Sequence, residues 1–346
     1  MRLPIPRGPL SERLVSDLRR PPQRLPGFED RAREMVAAVP ARDALVHDDL
    51  HLCLYVLYEL HYSGFDGVHP DWEWAPDLLA VRAVLEEVVE AALRSRVPVP
   101  PLPEPSAPAV TEALVALVAA DDSPSSSRFL ETRATPEQFR EFLVHRSVYE
   151  LKEADPHTWA IPRLSGRAKA ALVEVQVDEY GGGRPERMHS VLFARAMRAM
   201  DLDDAPNAYL DLVPAVTLAA VNAMSLFGLH RRLRGAVVGH LAAFEMTSTV
   251  PNRRIGNGMR RLGLDGDATW FFDEHVEADA VHEQIAAHDL CGSLAEDEPG
   301  LVGDLFLGAA TALTMEGLFA EHVLSAWTAG ESSLRGSDGL PLRRAA

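Results

Sequence analysis

The stretch at residues 270–289, WFFDEHVEADAVHEQIAAHD, reads as one helix with metal-ligand chemistry along a single face. His275, Asp279 and His282 stand at i, i+4 and i+7, which on a helix turning about 100° per residue puts them within an arc of roughly 60°. Phe271, Phe272, Val276, Ala278, Ile285 and Ala286 map to the same side, while Asp273, Glu277 and Gln284 map to the other. The ionisable stripe therefore points inward. A carboxylate flanked by two imidazoles is costly to bury unless something pairs with it, and a divalent metal does so directly. On an exposed helix the same three residues would be a solvated face with an i,i+4 pair. The apolar neighbours argue for burial.

Composition points the same way. At 346 residues the chain can form one large or two medium domains. Ile is nearly absent (Ile5, Ile161, Ile255 and Ile285), while Ala, Leu, Glu and Arg abound, so an all-α fold is expected. The net charge of −17 offers no footprint for nucleic acid or for an anionic membrane surface. Cys53 and Cys291 form no CxxC and no disulfide framework, which suits a reducing compartment. The N-terminus MRLPIPRGPL has prolines where a signal peptide needs an apolar segment. The uncharged run at 212–229 is interrupted by Pro214, Thr217, Asn222 and Ser225 and reads as a buried helix rather than a membrane span. The expectation is a cytoplasmic protein.

Residues 1–25, rich in Pro and Arg, are expected to wrap the surface. Helical patterns follow at about 29–38, 47–62, 76–96 and 109–120. The run VPVPPLPEPSAP reads as an extended connector, and DDSPSSS at 121–127 as a boundary. This divides the chain into an N-terminal helical domain at 1–125, a second domain at 126–330 and a disordered tail at 331–346. The second domain opens with Thr135, Pro136 and Gln138, a helix-start signature. Further helices are expected to about 154, at 165–180, 185–200, 206–227, 229–248, 269–290 and 300–328.

An inward His-Asp-His stripe underfills an octahedral ion, so other helices must contribute. Glu245 is the one acid between residues 212 and 248, on a helix of small and apolar neighbours; a core pair with Arg253 or Arg254 is the alternative. Glu179 ends a helix, and His189 begins the next after a glycine turn. Glu186 competes with Glu179, since Glu186-Arg-Met-His189 is an E-x-x-H of the kind di-iron bundles use. Glu153 lies among Glu150, Lys152 and Asp155, where a solvated face is equally consistent. Glu59 and His61 do not converge on a helix and read as packing or capping groups.

In this order, Glu153, Glu179, His189, Glu245 and then H-x3-D-x2-H at His275, Asp279 and His282 resemble the ligand series of the haem-oxygenase-like di-iron oxidases and oxygenases. The spacing is most similar to the N-oxygenating branch and covers about residues 130–330. The resemblance implies a haem-oxygenase-like helical bundle. It implies two Fe(II) ions per chain, one held by Glu153, Glu179, His189 and His282 and the other by Glu179, Glu245, His275 and Asp279. It further implies O2 as co-substrate, a small-molecule substrate such as an amine or guanidine to be N-hydroxylated, and a homodimer built on the N-terminal domain. Oxidative C–C cleavage or desaturation of an amino or fatty acid is the alternative, and a scaffold or iron-storage protein is another. His240, His288 and Glu277 are candidates to orient the imidazoles, and Arg253 or Arg254 could anchor a carboxylate.

Overall fold

The computed structural model describes residues 1–336 and 340, apart from the side chains of 278–281. Among the described residues it is helical throughout, with no strand. In chain order the helices are α1 (Pro9–Leu18), α2 (Phe28–Ala38), α3 (Asp48–Glu59), α4 (Pro76–Arg96), α5 (Ala107–Ala119), α6 (Ser126–Thr132) and α7 (Pro136–Glu150). After them come α8 (Asp155–Thr158), α9 (Gly166–Glu179), α10 (His189–Ala199), α11 (Ala215–Leu229), α12 (Arg234–Arg261), α13 (Trp270–Gln284), α14 (Ser293–Asp297) and α15 (Val302–Ala329). The Thr135–Gln138 capping box forms as expected at the start of α7.

Helix α12 is the central element, packed against α15, α13 and α6. Its approach to α15 is set by glycines: a Cβ at Gly239 would fall 1.9 Å from the Leu305 carbonyl oxygen, and one at Gly308 1.9 Å from that of Ala236. The chain expected at 229–248 runs on through Pro251 to Arg261. Proline removes a backbone donor and disfavours helix continuation. Tertiary packing overrides it here: Ile255, Gly258 and Met259 are buried, and the Arg261 guanidinium donates to the carbonyls of Leu130, Glu131 and Ala134.

The N-terminal segment departs from expectation. Residues 9–18 are not a surface wrap but helix α1, burying Leu10, Leu14, Val15 and Leu18, and the buried Asp49 of α3 accepts from the amides of Leu10 and Ser11. The core runs without a break across residues 121–127, since α3 packs on α11 and α5 packs on the segment after α13. At the other end, the tail is anchored at Ser333, which is buried and bonded to Glu141 and His145. Residues 337–339 and 341–346 of the expected tail lie outside the described residues. One helical stretch, Pro299–Ala329, is long and apolar enough to cross a membrane by length and composition, and it lies mostly buried within the bundle.

Candidate metal centre

Five elements bring the site together. The turn at 151–154 between α7 and α8 carries Glu153, the last residue of α9 is Glu179, and the first of α10 is His189. Glu245 lies within α12, and α13 carries His275 and His282. The hairpin between Glu179 and His189 depends on glycine. Gly181 has φ +68°, and a Cβ there would fall 2.6 Å from the backbone of Arg187 and Met188. Directly after α13 the helix widens to a π-helix over Ile285–Gly292, a form that recurs beside functional sites.

Among the described residues two groups could each hold an ion: Glu153, Glu179, His189 and His275, and Glu179, Glu245 and His282, with ligand atoms in each group within 4.8 Å of one another. Glu179 belongs to both. Six of the seven residues expected from the sequence therefore converge, and the side chain of the seventh, Asp279, lies outside the described residues. The partition differs from the one the resemblance implied. His275 joins Glu153 and His189, and His282 joins Glu245, an exchange of the two imidazoles. They are two helical turns apart, so each meets whatever ligand crosses α13 at its own height. Glu186, the rival of Glu179, is exposed on the outer side of the glycine hairpin.

Hydrogen bonds fix the imidazoles. His275 Nδ1 lies 2.8 Å from the Phe271 carbonyl oxygen, which only accepts, so Nδ1 carries a proton, and Nε2 is turned to Glu153 Oε1 at 3.3 Å. His282 Nε2 is 3.0 Å from Asp178 Oδ2, which turns Nδ1 toward Glu245 Oε2 at 3.3 Å. Asp178 and the Phe271 carbonyl thus take the orienting role expected of His240, His288 or Glu277. His240 instead bonds His157, His288 sits on Asp289, and Glu277 is exposed. Asp178 was missed because an acid beside Glu179 on a helix end looks like any solvated residue.

The polar atoms at the centre are left in need of a cation. His189 Nδ1 is 3.0 Å from Glu179 Oε2 and 3.7 Å from Glu153 Oε2, yet all three atoms are buried and make no hydrogen bond. Buried polar atoms without a well-formed hydrogen bond are costly. Burial and the nearby Glu179 push Glu153 up to about 7. For Glu179 burial acts in the same sense, but His189, then His275 and His282, outweigh it and hold the carboxyl at about 2. A donor set of carboxylates and imidazoles suits ferrous iron, and an ion between these atoms would satisfy them together. The residues present fit such an ion.

A cavity of about 280 Å³ opens onto this cluster. Beyond the ligand candidates its wall includes Phe142, Phe244, Phe271, Tyr149, Glu150, Arg146 and Glu316. Arg146 donates to both Glu316 carboxylate oxygens at 2.6 Å and stacks over the Phe319 ring at 4.5 Å. Burial, reinforced by Glu153, raises the Glu150 carboxyl well above the ordinary range. Arg146 and Glu150 stand at i and i+4 on one face of α7, and Glu153 follows three residues later in the turn, a spacing visible in the sequence. Arg253 is exposed and Arg254 donates to Ser125; neither lines the cavity, so neither is placed to anchor a substrate there.

The sequence profile of a family described as "iron-containing redox enzyme" matches residues 140–317. A nitrosourea synthase from Streptomyces achromogenes subsp. streptozoticus is 26% identical over 190 residues, 55% of this chain and 40% of that protein. The matched region of the chain thus spans about two fifths of the relative's length.

Proposed function

The chain belongs to the iron-containing redox enzymes, and on that premise we propose that it is an O2-dependent non-haem di-iron oxygenase that hydroxylates a nitrogen of a small amine or guanidine. The observation that carries this reading is the pair of buried clusters joined through Glu179. Two ferrous ions would supply the two electrons that, with two protons, reduce one oxygen atom of O2 to water while the other enters an N–H bond, and an external reductant would then restore them. Glu153, His189 and His275 would hold one ion, Glu245 and His282 the other, with Glu179 between them and Asp279 as a further ligand.

The rest of the site would bind and orient the substrate. If iron neutralises the ligand carboxylates, the remaining wall carries Asp121, Glu316 paired with Arg146, and Glu150, whose burial-raised carboxyl keeps its proton and can both donate to and accept from a substrate nitrogen. A fatty-acid carboxylate would find no uncommitted cation among the described lining residues, since Arg146 is engaged at both terminal nitrogens by Glu316. Phe142, Phe244 and Phe271 would exclude water around the reacting nitrogen. The name of the nitrosourea synthase, which denotes a product with an oxidised nitrogen, is consistent with this choice.

Anaerobic loading with Fe(II), followed by O2 in the presence of amines, guanidines, amino acids and fatty acids, tests the reading. The expected result is two ions per chain and, with an amine or guanidine, a product one oxygen atom heavier and labelled from isotopic O2. Chain-shortened or desaturated products would favour the C–C cleavage or desaturation alternative. Iron oxidation indifferent to every organic compound would leave a storage protein.

A further inference from the structure

Lys152 and Glu153 are neighbours in the turn at 151–154, yet their side chains make contact with different parts of the molecule. Glu153 meets His275 and stands 3.7 Å from His189. Lys152 reaches α3, where its Nζ lies 2.6 Å from Glu59 Oε2; the side chains of this pair are only 15% and 1% exposed. The ammonium is also held between two aromatic rings, 4.8 Å from the Tyr55 centroid and 4.7 Å from that of Tyr62. Both rings are fastened in turn, Tyr55 to Asn207 and Tyr62 to Ser225. The other Glu59 oxygen accepts from the Ser63 amide.

A short turn with one side chain locked in such a cage has little freedom left for the next residue. The backbone agrees: Lys152 N donates to Tyr149 O and its carbonyl accepts from Asp155 N, so the locked residue belongs to the hydrogen bonds that shape the turn. A buried pair is a weak source of net stability compared with apolar packing, but it fixes geometry.

We propose that Glu59 and Lys152 are positioning residues through which helix α3 sets the orientation of Glu153, so that one of the two iron subsites, that of Glu153, His189 and His275, depends on the N-terminal segment while that of Glu245 and His282 does not. The proposal rests on the di-iron reading above. It gives Glu59 a task although Glu59 touches neither group of ligand candidates.

The test is anaerobic Fe(II) titration of the full chain, comparing wild type with Glu59→Gln and with the doubly apolar Glu59→Leu/Lys152→Met, which leaves no unpaired buried charge if the single variant folds poorly. Expected is a weakening of about tenfold or more at one iron site, the size typical of an outer-shell change, with the other site unaffected. Adding Glu59→Gln to His189→Ala should weaken that site little further, because the two act on the same ion. A purely structural pair would lower Tm and leave both affinities alone, and that result in a folded variant overturns the proposal. Wild type that takes up no Fe(II) would overturn the di-iron reading and the proposal together, whereas two wild-type ions with equal affinities in the variants would overturn the proposal alone.

Discussion

Helix α12 has two unlike sides. Toward α15 it is dry and close, with Gly239 and Gly308 letting backbone touch backbone. Toward α13 it carries Glu245, turned to His282 across a space lined with carboxylates and imidazoles. The first contact gains dispersion and hydrophobic free energy. The second buries carboxylates against imidazoles, and among their polar atoms Glu179 Oε2 and His189 Nδ1 make no hydrogen bond. One helix thus bears both the packing that holds the bundle and one wall of the polar cluster that a metal would fill. The lesson is that the polar side is tolerable because the apolar side is so good.

That contrast can be broken most forcefully at the dry side. Gly239→Ala should drive a methyl group into the Leu305 carbonyl, where backbone must move to make room. A loss of about 3 kcal/mol is expected, read as a lower Tm by circular dichroism with or without iron. His275→Ala should do the reverse, leaving the melting curve of the metal-free protein nearly unchanged while weakening Fe(II) at one site more than about a hundredfold, beyond the range for outer-shell changes. If both iron affinities were unchanged by that substitution, His275 would have no part in the site.

The pH dependence sharpens the same contrast. Glu153 titrates near 7 in the folded protein against an ordinary 4.5, so the native state keeps a proton that the unfolded chain releases. Its contribution to metal-free stability therefore falls as pH rises from about 4.5 to about 7. Glu179, held near 2, acts oppositely: its contribution is present above its ordinary 4.5 and is lost as pH falls toward 2. Iron requires Glu153 ionised, so the stabilisation by Fe(II) should grow over the interval in which the metal-free protein weakens. Thermal melts at pH 5, 6, 7 and 8 with and without Fe(II) check this; a constant gap between the two series would count against Glu153 as a ligand. The smallest expected effect is at Asp178→Asn, which keeps the shape but weakens the hold on the His282 proton. A loss of about tenfold in iron affinity at the Glu245 and His282 site is expected, seen by titration.

Much of this was legible in the chain. The scarcity of Ile and the helix-start residues around Thr135 gave an all-helical protein, and the break at Gly181 separated α9 from α10 where the structure has it. Lone acids on apolar helices stand out, which is how Glu245 was found. Less visible were α1, whose four buried apolar residues sit in a segment dominated by Pro and Arg, and the continuation of α12 past Pro251, which depends on partners more than a hundred residues away. Glu59 was read as a packing group, and its link to Lys152 spans 93 positions.

By itself the sequence determined that α13 presents a stripe of ligand chemistry to the interior, because angular position on a helix follows from residue spacing alone. Only the tertiary structure decided which imidazole stands beside which carboxylate. His275 and His282 share a face but lie about 10 Å apart along the axis, and the heights at which Glu153, His189 and Glu245 cross that axis are set by how the other helices pack, a distance no local pattern records.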